Sequence, residues 1–159
     1  MPGSLCGFEV MRKLSKKSWI LLVIGVCLLA FIWGHSMQNK AASAEESGRM
    51  LRILTPFLEI VVGKGNVTDH LVRKLAHFAE FSALGLDLLW LWKSLGMKRY
   101  FLLALNTGWL AAFLDESIQM FSDRGDQIID VWLDFAGCVF GALVALLVSR
   151  VVNNKKRKV

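Results

Sequence analysis

The sequence predicts an all-α integral membrane protein, a bundle of about four transmembrane helices with an amphipathic helix on the membrane surface in the first loop. Its 159 residues are 55% hydrophobic, with a mean hydropathy of +0.48, which is too apolar for a small water-soluble domain. Lysines and arginines collect in short blocks beside the apolar runs, as cytoplasmic anchors do. We therefore expect a membrane domain at residues 18–149, between basic cytoplasmic tails at 1–17 and 150–159.

The first apolar run covers residues 19–34 and, with its neighbours, can cross a hydrocarbon core of roughly 30 Å. Such a run is either a retained helix or a signal peptide. A cleavage-like sequence at 42–44 lies well beyond the apolar end, behind several polar residues, which favours retention. Translation starts at Met1 or at Met11, which directly precedes the first basic block.

The long connection that follows is expected to contain the amphipathic helix. Residues 43–46 resemble a capping box, and apolar residues recur behind them at helical spacing. Pro56 limits the regularity of this helix, and Gly63 and Gly65 end it. Thr68 then caps the second membrane helix.

Three further membrane helices are predicted over residues 71–92, 100–119 and 128–149. The dense basic blocks lie at both chain ends and in the turn between the second and third helices, which places both termini in the cytoplasm. Basic residues in the long first loop conflict with this topology, but long loops obey the rule less strictly. The loop after the third helix then faces outward.

Composition also excludes several classes of protein. The net charge of +6 does not come from a basic stripe or a DNA-reading motif, so no nucleic-acid partner is expected. Cys6, Cys27 and Cys138 have no metal-ligand spacing and predict neither a disulfide framework nor a zinc site.

Charged residues interrupt the apolar runs, although each charge at the middle of a membrane helix costs about 2.5–3.5 kcal/mol on insertion scales. Helical spacing places many of them on shared faces at one level of the bundle. Three helices are therefore expected to form one outward-facing polar pocket. Its predicted members are Lys74, His77, Glu80, Asp115, Glu116, Gln119, Arg124, Asp130 and Asp134.

Acids outnumber bases in this pocket, so some carboxylates must be solvated, protonated, or neutralised by a cation or metal. One hypothesis joins Glu80, Asp115 and Asp130 in a cation-dependent or shared-proton site, with His77 beside it and Arg124 as a clamp. The plainer interpretation is that bases and acids pair only to lock the helices together. The sequence assigns no catalytic residue and no definite metal ligand.

Two other features of the helices bear on packing. Gly137 and Gly141 form a GxxxG surface on the last helix that favours close helix contact. Asp87 lies apart from the pocket, nearer the inner half, and is expected to be satisfied by Ser82, Asn106 or water.

Taken in chain order, a set of polar, aromatic and glycine residues resembles the pattern of the VanZ-like family of bacterial membrane proteins. The family is named for an accessory glycopeptide-resistance protein associated with teicoplanin. The resemblance extends from the first helix to Gly141. It rests on Lys74, His77-Phe78, Phe81, Leu84-Gly85, Asp115-Glu116-Ser117-Ile118-Gln119, Phe121, Arg124, Asp130 and Gly137. Asp134 departs from the family pattern, which often has Asn there. The resemblance implies a multi-pass protein of the bacterial cell membrane and tolerance to teicoplanin-like lipoglycopeptides, without an agreed reaction.

These residues are compatible with three alternative functions. The pocket could bind a lipid headgroup, a lipid-linked cell-wall intermediate or a partner protein. An intramembrane enzyme could use His77 or Glu80 as acid/base, with a divalent metal positioned by Asp115, Glu116 and Asp130. No hydrolase motif supports that enzyme. An ion pathway through Asp87 and Asp134 lacks a continuous set of inward-facing groups.

Overall fold

The computed structural model describes residues 14–38, 40–121 and 128–156, and these residues form an all-α structure, as predicted. The helices are α1 (Lys16–Ser36), α2 (Lys40–Val62), α3 (Asp69–Ser94), α4 (Tyr100–Phe121) and α5 (Ile128–Lys156). α3 is central, because it packs against each of the other four helices and most extensively against α5. The hydrophobic core is built around Phe81, Leu84 and Leu89 of this helix, which are fully buried.

Large apolar side chains face outward from the bundle. Val23 on α1, Leu110 on α4 and Leu147 on α5 are each more than half exposed, as expected for a surface in contact with lipid. Among the described helices, α1 and the Ile129–Asn154 part of α5 are long and apolar enough to cross a membrane. α3 and α4 do not meet that criterion, because polar residues interrupt their apolar runs. The structure therefore indicates a membrane protein, while the four-span arrangement stays a prediction.

α2 occupies the connection where the amphipathic helix was expected. It begins at Lys40, so the start predicted at residues 43–46 is wrong by about one turn; the capping-box pattern lies inside the helix. Ile53, Phe57 and Ile60 recur every three or four residues and are 65%, 67% and 82% exposed. They form an apolar stripe of the kind that lies on a membrane surface.

The segment between α2 and α3 follows the predicted signals. α2 continues through Pro56 and ends at Val62. Gly63 and Gly65 then adopt φ angles of 86° and 78°, a region that glycine enters without steric cost. Thr68 caps α3, since its hydroxyl accepts a hydrogen bond from the backbone N–H of Leu71 at 3.2 Å.

Glycines let the backbones of α3 and α5 touch. A Cβ at Gly137 would lie 2.6 Å from the carbonyl oxygen of Phe78, and a Cβ at Gly141 would collide with the carbonyl of Ser82. The predicted close-packing surface is therefore confirmed. It brings Asp134, which lies one turn before Gly137, against the polar face of α3.

Asp87 is 4% exposed and faces α1, where a Cβ at Gly25 would lie 2.8 Å from its Oδ2 atom. The predicted partner Ser82 instead donates its hydroxyl to the carbonyl of Phe78 at 2.6 Å. Asn106 is exposed and does not reach Asp87 either. Both predicted side-chain partners are wrong, because Asp87 points toward α1.

We expect Gly141→Ala to lower the melting temperature of the detergent-solubilised protein. The added methyl group meets backbone atoms of α3, and overpacking of this kind typically costs about 1–3 kcal/mol. Gly34→Ala is the control, because no atom lies within 4 Å of a Cβ built there. An unchanged melting temperature for Gly141→Ala would contradict the close contact.

Candidate functional site

A polar cavity of about 70 Å³ lies at one end of the bundle, where α3 and α5 begin and α4 ends. Liquid water occupies about 30 Å³ per molecule, so the cavity has room for a few waters or one group of roughly phosphate size. Its lining residues are His70, Arg73, Lys74, His77, Glu116, Gln119, Asp130, Leu133 and Asp134. Most of the predicted pocket residues thus lie together around one cavity.

Ion pairs surround the mouth of the cavity. Lys74 Nζ lies 2.7 Å from Asp130 Oδ1 and joins α3 to α5, and Arg73 lies 2.9 Å from Asp69 within α3. The two basic side chains are 33% and 37% exposed, and ion pairs in water-accessible positions typically contribute only about 0–1 kcal/mol. The interpretation that ion pairs lock the helices together fits the Lys74–Asp130 pair. This pair is weak enough for a ligand to replace Asp130 as the partner of Lys74.

Asp115 lies at the inner end of the site and is fully buried. One of its oxygens accepts a hydrogen bond from the hydroxyl of Ser36, and the other accepts one from the amide of Gln119, both at 2.6 Å. Gln119 Nε2 also lies 3.3 Å from the Ser36 hydroxyl. The carboxylate is therefore held in one orientation by α1 and α4 together.

Ser36 was missing from the predicted pocket, because the sequence analysis assigned only three helices to it. α1 ends at this residue, and its last turn lies beside Glu80 of α3 and Asp115 of α4. The signal was the polar pair His35 and Ser36 directly after an apolar run. Alternating helix directions bring the end of α1 to the same side of the bundle as the start of α3.

Glu80 and Asp130 lie in surroundings that differ from that of Asp115. Glu80 faces α1, with its Oε1 atom 3.5 Å from His35 Nδ1, and it does not line the cavity. Asp130 faces Lys74. The predicted group of Glu80, Asp115 and Asp130 is therefore not the set of side chains that lie closest together. Glu80 nevertheless stays within electrostatic range of Asp115. Arg124, the predicted clamp, lies outside the described residues.

Among the described residues, one group of potential metal ligands contains His77, Asp115 and Asp134. The Nδ1 atom of His77 lies 3.7 Å from Asp115 Oδ2 and 3.8 Å from Asp134 Oδ1, distances that are too long for hydrogen bonds. One potential ligand atom from each residue lies within 4.8 Å of the other two. An imidazole between two buried carboxylates can hold a cation, share a proton or act as an acid/base group.

We expect Ser36→Ala to destabilise the protein by about 1–3 kcal/mol, because it removes a hydroxyl donor from a buried carboxylate. The measurement is the melting temperature of the detergent-solubilised protein. Ser117→Ala on α4 is the control: its hydroxyl donates to the Phe113 carbonyl at an exposed position, and we expect a change within about 0.5 kcal/mol. Equal melting temperatures for the two variants would contradict the role of Ser36.

The cavity and the three-residue cluster fall within the segment that comparison with known proteins identifies. The family model described as VanZ/LLP1 matches residues 20–149, most of the chain. Neither the curated proteins nor the solved structures gave a match. The chain belongs to the VanZ/LLP1 family.

Proposed function

We propose that this protein acts in the bacterial cell envelope, where its polar cavity binds the phosphate-bearing headgroup of a membrane lipid or of a lipid-linked cell-wall intermediate. The observation that carries the proposal is the cavity itself, which has room for about one phosphate and is lined by the basic residues His70, Arg73 and Lys74 as well as by the acids Glu116, Asp130 and Asp134. The distribution of basic residues supports an outward-facing cavity with both termini in the cytoplasm.

Phosphate binding is energetically reasonable at this position. The Lys74–Asp130 pair is partly exposed, and exposed pairs typically contribute about 0–1 kcal/mol to stability. Hydrogen bonds between a cationic side chain and a phosphate are roughly twice as strong as neutral ones. A headgroup phosphate can therefore replace Asp130 as the partner of Lys74 while the acyl chains remain against the apolar outer surface of the bundle.

A second function, an intramembrane enzyme on a lipid-linked substrate, is favoured by one observation. His77 lines the cavity and lies between Asp134, which also lines it, and Asp115, which is buried behind it; a positioned imidazole there could accept or donate a proton. Turnover of a phosphate-bearing lipid by the purified protein, abolished by His77→Gln, would establish the enzyme. Binding without turnover would leave the headgroup-binding function alone.

Lipid binding can be tested by mass spectrometry of lipids that copurify with the protein. We expect a phosphate-bearing lipid to copurify with the wild type and to be reduced by about tenfold in Lys74→Gln, the loss expected for one charged contact of roughly 1.4 kcal/mol. Lys93→Gln is the matched control, because Lys93 lies in the last turn of α3 at the opposite end of the bundle. Equal lipid retention by all three proteins would contradict the cavity as the binding site.

The family resemblance extends the proposal to antibiotic tolerance. Expression in a susceptible host should raise the inhibitory concentration of teicoplanin-like lipoglycopeptides more than that of vancomycin. The physical reason is that a lipid-tailed drug anchors in the outward-facing surface of the cell membrane, close to an outward-facing headgroup site. Identical inhibitory concentrations with and without verified membrane expression would remove this part of the proposal.

A further inference from the structure

We infer that His77, Asp115 and Asp134 form a binding site for one divalent transition-metal ion of the Mn²⁺ or Zn²⁺ class. Each residue offers one ligand atom, and the three atoms lie within 4.8 Å of one another. They come from three different helices, α3, α4 and α5. An ion between them would therefore connect the helices that surround the cavity.

The distances approach those of a metal site, and side-chain rotation would close it. Ligand atoms about 2.0–2.2 Å from a tetrahedral metal lie roughly 3.3–3.6 Å from one another. The His77 nitrogen lies 3.7 and 3.8 Å from the two carboxylate oxygens, and all three atoms lie within 4.8 Å of one another, so the two carboxylates would have to approach each other by up to about 1.5 Å to close the site. One imidazole and two carboxylates are a donor set that suits Mn²⁺, Zn²⁺ and Fe²⁺.

Asp134 supplies an independent observation. It is 1% exposed, lines the cavity, and its Oδ2 atom has no hydrogen-bond partner among the described residues. Buried polar atoms are nearly always paired in native proteins, and an exception commonly marks a functional group or an ion site. A cation in the cavity would satisfy this carboxylate directly.

The local charge also requires compensation. In the described part of the chain, neither Asp115 nor Asp134 forms an ion pair with a lysine or arginine, since Lys74 and Arg73 pair with acids at the mouth. Asp134 also lies within electrostatic range of Glu80, Glu116 and Asp130. Buried carboxylates this close together favour either a bound cation or a shared proton.

The partners of Asp115 resemble those that orient a metal ligand. Ser36 and Gln119 donate to its two oxygens at 2.6 Å, which fixes the carboxylate without using a positive charge. Groups of this kind hold a ligand in position, and their loss typically weakens metal binding about 10–100-fold. With three ligands from the part of the chain that the structure describes, the ion would keep a coordination position open. Whether a lipid phosphate takes that position depends on the proposed headgroup binding, whereas metal binding itself does not.

The test uses the full chain, purified in detergent, treated with chelator and then freed of it. We expect the wild type to bind about one Mn²⁺ per chain, and Asp134→Asn to bind it at least about tenfold more weakly. Electron paramagnetic resonance of bound Mn²⁺ should show coupling to an imidazole nitrogen that is lost in His77→Gln. Asp87→Asn is the control, because this buried acid faces α1 away from the cavity.

Melting temperatures distinguish an ion site from a structural cluster. Without metal, Asp134→Asn should melt at or above the wild type, because it removes a carboxylate from a crowded acidic site. Addition of Mn²⁺ or Zn²⁺ should raise the melting temperature of the wild type but not that of the variant. The inference is overturned if Asp134→Asn melts below the wild type under both conditions.

Two other results would also overturn the inference: the wild type binds neither ion at millimolar concentration, or the nitrogen coupling persists in His77→Gln. Lipid retention is measured separately. Metal binding without copurifying lipid would contradict only the proposed headgroup function, and copurifying lipid without metal binding would contradict only the ion site.

Discussion

Burying Asp115 and Asp134 on either side of His77 is the constraint on which this structure depends. If both carboxylates were ionised, with oxygens within 4.8 Å of each other, they would repel each other by at least about 3 kcal/mol at an effective dielectric constant of 20. Whole domains are stable by only about 5–15 kcal/mol. A fold that keeps this cluster must therefore compensate it, and the hydrogen bonds from Ser36 and Gln119 do so for Asp115 alone.

The packing of the bundle places the cluster. Gly137 and Gly141 allow α5 to approach α3 until their backbones touch, and this contact sets Asp134 opposite His77. The end of α1 completes the site by bringing Ser36 to Asp115. Because apolar contacts among α1, α3, α4 and α5 form the core, they can stabilise an arrangement that its polar groups alone would oppose.

Sequence periodicity and local signals predicted the helices well. The cap at Thr68, the glycine turn before it and the close packing at Gly141 each follow from chemistry within a few residues of the chain, so they could be recognised without a structure. The start of α2 was misplaced because a capping-box pattern also occurs inside helices.

The composition of the site was predicted less completely. Helical spacing identifies which side chains share a face, so His77, Asp115 and Asp134 could be assigned to one level. Spacing does not identify which neighbouring helix a face meets. For that reason Ser36 was overlooked, Glu80 was grouped with the cavity although it faces His35, and Asp87 was given partners on the wrong helix.

The central claim is that the buried carboxylates beside His77 form a ligand site and not only a contact between helices. Infrared difference spectroscopy of the purified protein, recorded before and after Mn²⁺ addition, tests it most directly. The account predicts that Mn²⁺ removes a protonated carboxyl band and produces metal-bound carboxylate bands, and that Asp134→Asn changes this difference spectrum while Asp87→Asn does not. An infrared spectrum of the wild type that Mn²⁺ leaves unchanged would contradict it.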